Sequence, residues 1–111
     1  MTSYDLAIVG GGPAGYAAAL RARELGSSVV LIEAQHVGGH CVHYSCIPST
    51  IMLDSARRAL EAQELSLAGV FGDPGLPNFA RAAARKSVLV HNLAQGIAAL
   101  LKSRRVTVLE S

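Results

Sequence analysis

The apolar run Tyr4–Val9, YDLAIV, stops at three glycines, and Gly10, Gly12 and Gly15 of GGGPAG complete a G-x-G-x-x-G pattern. A short stretch of strand formers that ends this way reads as a buried parallel strand. Pro13 then sits where helices accept proline, and Ala17, Ala18, Ala19, Leu20, Arg21 and Arg23 favour helix until Gly26. Ser28–Glu33, SVVLIE, is strand-like again. Residues 4–33 therefore read as one βαβ unit with a right-handed crossover. In that setting each glycine has a purpose: Gly10 allows the tight turn, Gly12 lets the backbone approach a pyrophosphate, and Gly15 lets helix and strand pack closely. The helix N-terminus adds unpaired N–H groups and partial positive charge. Glu33, at the end of the second strand, is placed to accept hydrogen bonds from an adenosine ribose, and an acid there argues against a 2′-phosphate. The loop alone does not choose between FAD and NAD.

Beyond Glu33, residues 35–40 read as loop, with Gly38 and Gly39 permitting unusual backbone angles. The composition predicts a helix over 41–65, broken by FGDPGLPN, and a long helix over 79–103 with Asn78 as its N-cap. Val90, Leu93, Ile97, Leu100 and Leu101 form one apolar stripe on that second helix. A third strand is predicted over 105–110. The whole reads as an incomplete α/β, Rossmann-like, doubly wound parallel sheet occupying 1–111 as a single unit. The 111 residues carry ten Lys and Arg against eight Asp and Glu, with no basic run longer than a pair, so nucleic acid is a poor partner. No basic region precedes the first apolar stretch, and none reaches the roughly 18 apolar residues that cross a bilayer. A cytoplasmic protein is expected, with no membrane partner.

In a reducing compartment the two cysteines, Cys41 and Cys46, are better suited to redox work or metal binding than to a static staple. Within a regular helix their Cα atoms would stand about 8.6 Å apart, beyond the roughly 7 Å a disulfide spans, so a bridge requires the backbone to bend between them. Cys46, at the first turn of the following helix, should form a thiolate more easily. Two buried, reduced, inert cysteines are the alternative from spacing alone. His36, His40 and His43 surround the pair, but their spacing matches no common structural zinc pattern, and no metal is assigned. A protonated His40 or His43 could lower the pKa of Cys41.

Taken together, GGGPAG, Glu33 and GGHCVHYSCIPS resemble the N-terminal part of the pyridine nucleotide-disulfide oxidoreductases, the flavoenzymes that include dihydrolipoamide dehydrogenase, glutathione reductase and mercuric reductase. The family pattern G-G-T-C-V-N-V-G-C-[VI]-P-S-K is kept at Gly38, Gly39, Cys41, Val42, Cys46, Ile47, Pro48 and Ser49. The resemblance runs the length of the chain but covers about the first quarter of a family chain. It implies electron flow from NAD(P)H through FAD to a Cys41–Cys46 disulfide, and on to a disulfide-type substrate, most like dihydrolipoamide. Cys41 would attack substrate and Cys46 would lie against the flavin. Gly10, Gly11, Gly12, Pro13, Ala14 and Gly15 would hold the FAD pyrophosphate, and Glu33 the ribose. The implied cofactor-binding set extends to Ala34, Gly38, Gly39, His40, Cys46 and Thr50.

His40 stands where the family has Thr, Thr50 where it has Lys, and His43 and Ser45 where it has Asn and Gly. The resemblance also implies a homodimer, a nicotinamide domain, an interface domain and a partner-subunit acid–base pair beyond these residues. A fragment, an excised domain or one chain of a larger assembly is therefore expected. A non-catalytic dinucleotide-binding module is the competing expectation.

Overall fold

The computed structural model describes residues 2–110. Three parallel strands, β1 (Leu6–Val9), β2 (Val29–Glu33) and β3 (Thr107–Glu110), lie in the order β1-β2-β3. The register pairs Leu6 with Val29 and Ile8 with Leu31, then Leu31 with Val108. Those positions share one face, and helix α1 (Pro13–Glu24) and the C-terminal half of the long helix α4 (Phe79–Ser103) cover it. The core is small: Ala19 from α1, Val29 and Leu31 from β2, Val37 and Val42 from the segment after it, and Ile97, Leu101 and Val106 from the α4 end. On the opposite face Val9 is 84% exposed, and Ile32 and Leu109 are also open to solvent.

The helix predicted over 41–65 is two helices, α2 (Gly39–His43) and α3 (Cys46–Leu67). Proline explains the break. Pro48 has no N–H to offer Tyr44, and its ring cannot tolerate a helical carbonyl four residues back. The chain therefore leaves the helix at Tyr44, whose N–H and that of Ser45 both end on the His40 carbonyl, at 2.8 and 3.0 Å. Pro48 then falls in the first turn of α3, where its missing donor has no consequence. Gly39 opens α2, two residues before the predicted helix start.

The strand predicted over 105–110 begins instead at Thr107. Arg105 adopts a left-handed φ of 58° to close α4, with the Val106 N–H reaching back to the Leu101 carbonyl at 3.0 Å. An ordinary helix-closing turn thus takes the residue that sequence pattern gave to the strand. At its other end α4 is capped as expected: Asn78 Oδ1 accepts the Arg81 N–H at 2.9 Å.

Helices α3 and α4 form an antiparallel hairpin that projects from the sheet. The chain measures 68 × 26 × 18 Å with a radius of gyration of 19.6 Å, against about 13 Å for a compact domain of this size. No residue of α3 is fully buried. Of the α4 stripe only Ile97 and Leu101 are buried, while Leu93 and Leu100 stay about 40% exposed. Asp54 on α3 bonds Arg57 and Arg58 and stands 3.8 Å from Arg85 of α4. Such exposed pairs add little. No helix among the described residues is long and apolar enough to cross a membrane.

Candidate functional site

The glycine turn between β1 and α1 is assembled by backbone alone. Gly10 has φ 104°, and its N–H donates to the Ile32 carbonyl at 2.8 Å, which seats the turn on β2. A Cβ on Gly15 would stand 1.7 Å from the Gly10 carbonyl oxygen, so α1 can lie this close to β1 only with glycine there. Pro13 and Ala14 follow at the head of α1, whose N-cap Gly12 makes no side-chain cap bond and whose first turn holds no acid. An open groove of about 440 Å³ runs along Gly10, Gly12, Pro13, Ala14 and Gly15. Unpaired N–H groups, positive helix potential and a cradle without side chains suit a pyrophosphate.

Glu33 closes the far side. Its Oε2 accepts the Gly11 N–H at 2.6 Å and its Oε1 accepts the Gln35 N–H at 2.9 Å. Those bonds, the Gln35 one foremost and the Gly11 one next, hold the carboxyl below its ordinary range. Beside it, at the C-terminal ends of the strands, lies a pocket of about 310 Å³ lined by Val9, Gly10, Ile32, Glu33, Ala34, Leu109 and Glu110. Open α/β sheets receive their ligands at that edge. The residues present therefore fit a dinucleotide, with a carboxylate beside the glycine turn.

Because Glu33 releases its proton more readily when folded, its contribution to stability is present above the ordinary glutamate range and is lost as pH falls through the depressed folded value. Glu33→Gln should flatten the acid limb of urea-unfolding stability between about pH 3 and pH 6 and weaken FAD binding roughly tenfold. Equal acid limbs in the two proteins would remove this role from the carboxylate.

The cysteine segment docks on the same turn. The Gly38 N–H donates to the Gly11 carbonyl at 2.8 Å. Gly38 and Gly39 both have positive φ, and a Cβ on Gly39 would meet Gly12 Cα at 2.7 Å, so glycine meets glycine at the junction. Val42 is buried beneath, anchoring α2 to the core. Cys41 on α2 and Cys46 at the start of α3 are free thiols, the first half-buried and the second exposed, and each shifts the other's acidity. Neither cysteine is buried, unlike in the alternative that spacing alone allowed.

The two thiols are shifted in opposite directions: the neighbouring Cys41 side chain holds Cys46 below the ordinary thiol value, with a further contribution from the Ser45 hydroxyl, and Cys46 in turn pushes Cys41 above that value. The direction agrees with the expectation that Cys46 forms the easier thiolate, and the Cys41 and Ser45 side chains are its causes.

Cys41 is pushed above the ordinary thiol value, with Cys46 the largest cause, rather than lowered as the adjacency of His40 and His43 led one to expect. His43 Nε2 bonds the Val37 carbonyl at 2.9 Å, and the His40 ring stacks at a tilt on Tyr44 with centroids 5.7 Å apart. His40 instead lines a pocket of about 250 Å³ with Gly12, Glu33 and Gly39. Thr50 is exposed on α3, one turn beyond Cys46. The described residues contain no cluster of three or more His, Cys, Asp or Glu that could hold a metal ion. Two participants escaped the sequence reading. Glu110, whose carboxylate accepts the Val37 N–H at 3.2 Å, sits at the end of β3 as Glu33 sits at the end of β2, and that shared position was the available signal. Ser45 was the other, legible as the residue just before a helix.

Fold and site together define an α/β dinucleotide-binding protein of the flavoprotein disulfide reductase type. Over its whole length the structure superposes on the HOCl-induced flavoprotein disulfide reductase RclA from Escherichia coli, solved as a Cu(II) complex, with a TM-score of 0.75 and 26% identity over 22% of that chain. The pyridine nucleotide-disulphide oxidoreductase family model matches residues 4–111, and the chain belongs to that family, whose members use FAD and NAD(P)H. It is 37% identical over 106 residues to a dihydrolipoyl dehydrogenase of Staphylococcus aureus and 39% identical over 107 residues to that of Bacillus subtilis. In each case 96% of this chain aligns and spans 23% of the relative's length.

Proposed function

We propose that these residues form the FAD-holding, dithiol-bearing part of an oxidoreductase that takes electrons from NAD(P)H and acts on a disulfide-type substrate, most like dihydrolipoamide. The observation that carries this reading is the docking of the cysteine segment on the phosphate turn, Gly38 on Gly11 and Gly39 on Gly12. It makes the cradle and the thiols one rigid unit. When bound, FAD supplies the two-electron exchange between nicotinamide and the cysteine pair.

The protein's share is to hold and to position. With the Gly10 N–H on Ile32 and the Gly11 N–H on Glu33, the backbone N–H groups of Gly12, Ala14 and Gly15 hold the pyrophosphate, Glu33 the ribose, and the strand edge with Ala34 the adenine end, while His40 stands at the junction between the glycine turn and α2. The half-buried Cys41 is the interchange thiol, which attacks as its thiolate. Cys46, held below the ordinary thiol value, is the thiol beside the cofactor. Thr50, one turn along α3, offers a hydroxyl where related sequences carry a cation, so this reading expects slower reduction than in lysine-bearing relatives. The uncovered sheet face at Val9, Ile32 and Leu109 and the open side of the α3–α4 hairpin support work within a larger homodimeric protein.

Titrating the purified chain with FAD, followed by flavin fluorescence and the visible spectrum, tests the proposal. One FAD bound per chain, with a long-wavelength absorbance on reduction, is the expected result. A folded, colourless chain that takes up no FAD would overturn it in favour of a non-catalytic module.

A further inference from the structure

Ser45 occupies the N-cap position of α3, where a serine hydroxyl ordinarily accepts a backbone N–H from the first turn. Here it does not. The hydroxyl makes no cap bond; its oxygen lies 3.6 Å from Cys46 Sγ and 3.3 Å from the His40 carbonyl oxygen. The next serine, Ser49, leaves that hydroxyl free for the task, because it directs its own hydroxyl to the Ser45 carbonyl at 2.7 Å. A hydroxyl has one proton to give, and two acceptors stand within its reach. A neutral thiol accepts weakly and a thiolate strongly, so the charge on sulfur decides which acceptor the proton faces.

We propose that Ser45 is a positioning residue for Cys46: its hydroxyl turns from the His40 carbonyl to the Cys46 sulfur when that sulfur becomes a thiolate, and holds the charge where α3 begins. The inference rests on the reading of Cys46 as the thiolate-bearing member of the pair. No proton leaves the serine; only its direction of donation changes. The titratable group against Cys46 is Cys41, across the bend. From α2, His40 and His43 are engaged with the Tyr44 ring and the Val37 carbonyl. From α4, Arg85 reaches Asp54 and Ser55, while Lys86 and His91 line a separate groove of about 510 Å³ with His36 and His43. The Ser45 hydroxyl, 3.6 Å away, is thus the neutral donor that the structure sets against the sulfur.

The test is site-resolved iodoacetamide labelling of the reduced chain against pH, read by mass spectrometry, for Ser45→Ala, Ser45→Gly and Ser45→Thr. Removing the hydroxyl should move the Cys46 labelling midpoint upward and lower its thiolate fraction near neutral pH roughly threefold to tenfold. Ser45→Thr should restore the original midpoint. Because the hydroxyl caps nothing, Ser45→Ala should melt close to the parent chain by circular dichroism. An unchanged midpoint in Ser45→Ala, or a raised midpoint that Ser45→Thr fails to restore, would overturn the proposal. Should Ser45→Ala not fold, the same labelling of Ser45→Gly decides it. Thiol acidity is measured without flavin, so failure of FAD uptake and failure of this inference are separate results.

Discussion

Gly15→Ala should cost the chain its FAD uptake and about 3 kcal/mol of folding stability. The added methyl would sit 1.7 Å from the Gly10 carbonyl oxygen and 2.9 Å from its carbon, far inside contact distance. That carbonyl has little freedom, because the Gly10 N–H is bonded to Ile32 on β2 at 2.8 Å and the backbone there already has a φ of 104°. Relief must come from lifting α1 off β1 or pulling the turn off β2, and either widens the cradle that the pyrophosphate needs. Gly39→Ala tests the other wall, where the methyl would meet Gly12 Cα at 2.7 Å at a φ of 63°. Gly96→Ala is the control: it lies in open space within α4 and should stabilise the chain by roughly 0.5–1 kcal/mol. Equilibrium unfolding together with FAD titration separates the three. Parent-like binding by Gly15→Ala would mean that the turn is not the phosphate site.

The glycine turn was the most legible part of the chain, because three glycines at fixed spacing between a strand and a helix have few other uses. Spacing also required a bend between Cys41 and Cys46. Its place at Tyr44 and Ser45 depends on Pro48 excluding a carbonyl four residues earlier, a constraint that helix propensity summed along the segment does not register. Arg105 was misassigned to strand for a similar reason: helix closure there uses a left-handed residue, and the usual glycine signal is absent. The α4 stripe was read correctly as apolar, but periodicity gives a face and not its partner, so Leu93 and Leu100 remain open while Ile97 and Leu101 are buried. At the dithiol, adjacency in sequence misled. His43 is bonded to the Val37 carbonyl and His40 lies against the Tyr44 ring, while the acidity of Cys46 comes first from a thiol five residues away, brought close by the bend, and then from Ser45.

Cys41→Ala should remove the two-electron capacity of the chain entirely and raise the labelling midpoint of Cys46. In the parent chain, diamide oxidation should join the two sulfurs within one molecule, each thiol giving its hydrogen to diamide, so that the protein loses two hydrogens and both reactive thiols. The variant has one sulfur and should lose neither. The pH dependence follows from the opposed shifts. Cys46 is held below the ordinary thiol value by the neighbouring Cys41 side chain, so its thiolate survives as pH falls through that value and disappears only below it. Cys41 is held above, so it stays protonated as pH rises through the same value. Iodoacetamide should therefore label Cys46 ahead of Cys41 across the interval between the two, label both once pH exceeds the higher midpoint, and label neither rapidly below the lower one. Removing the neighbouring thiol in Cys41→Ala takes away the larger stabilisation of the Cys46 thiolate, and its profile should move toward that of a free cysteine. Cys41 labelling first in the parent chain would invert the assignment of interchange and cofactor-facing thiols.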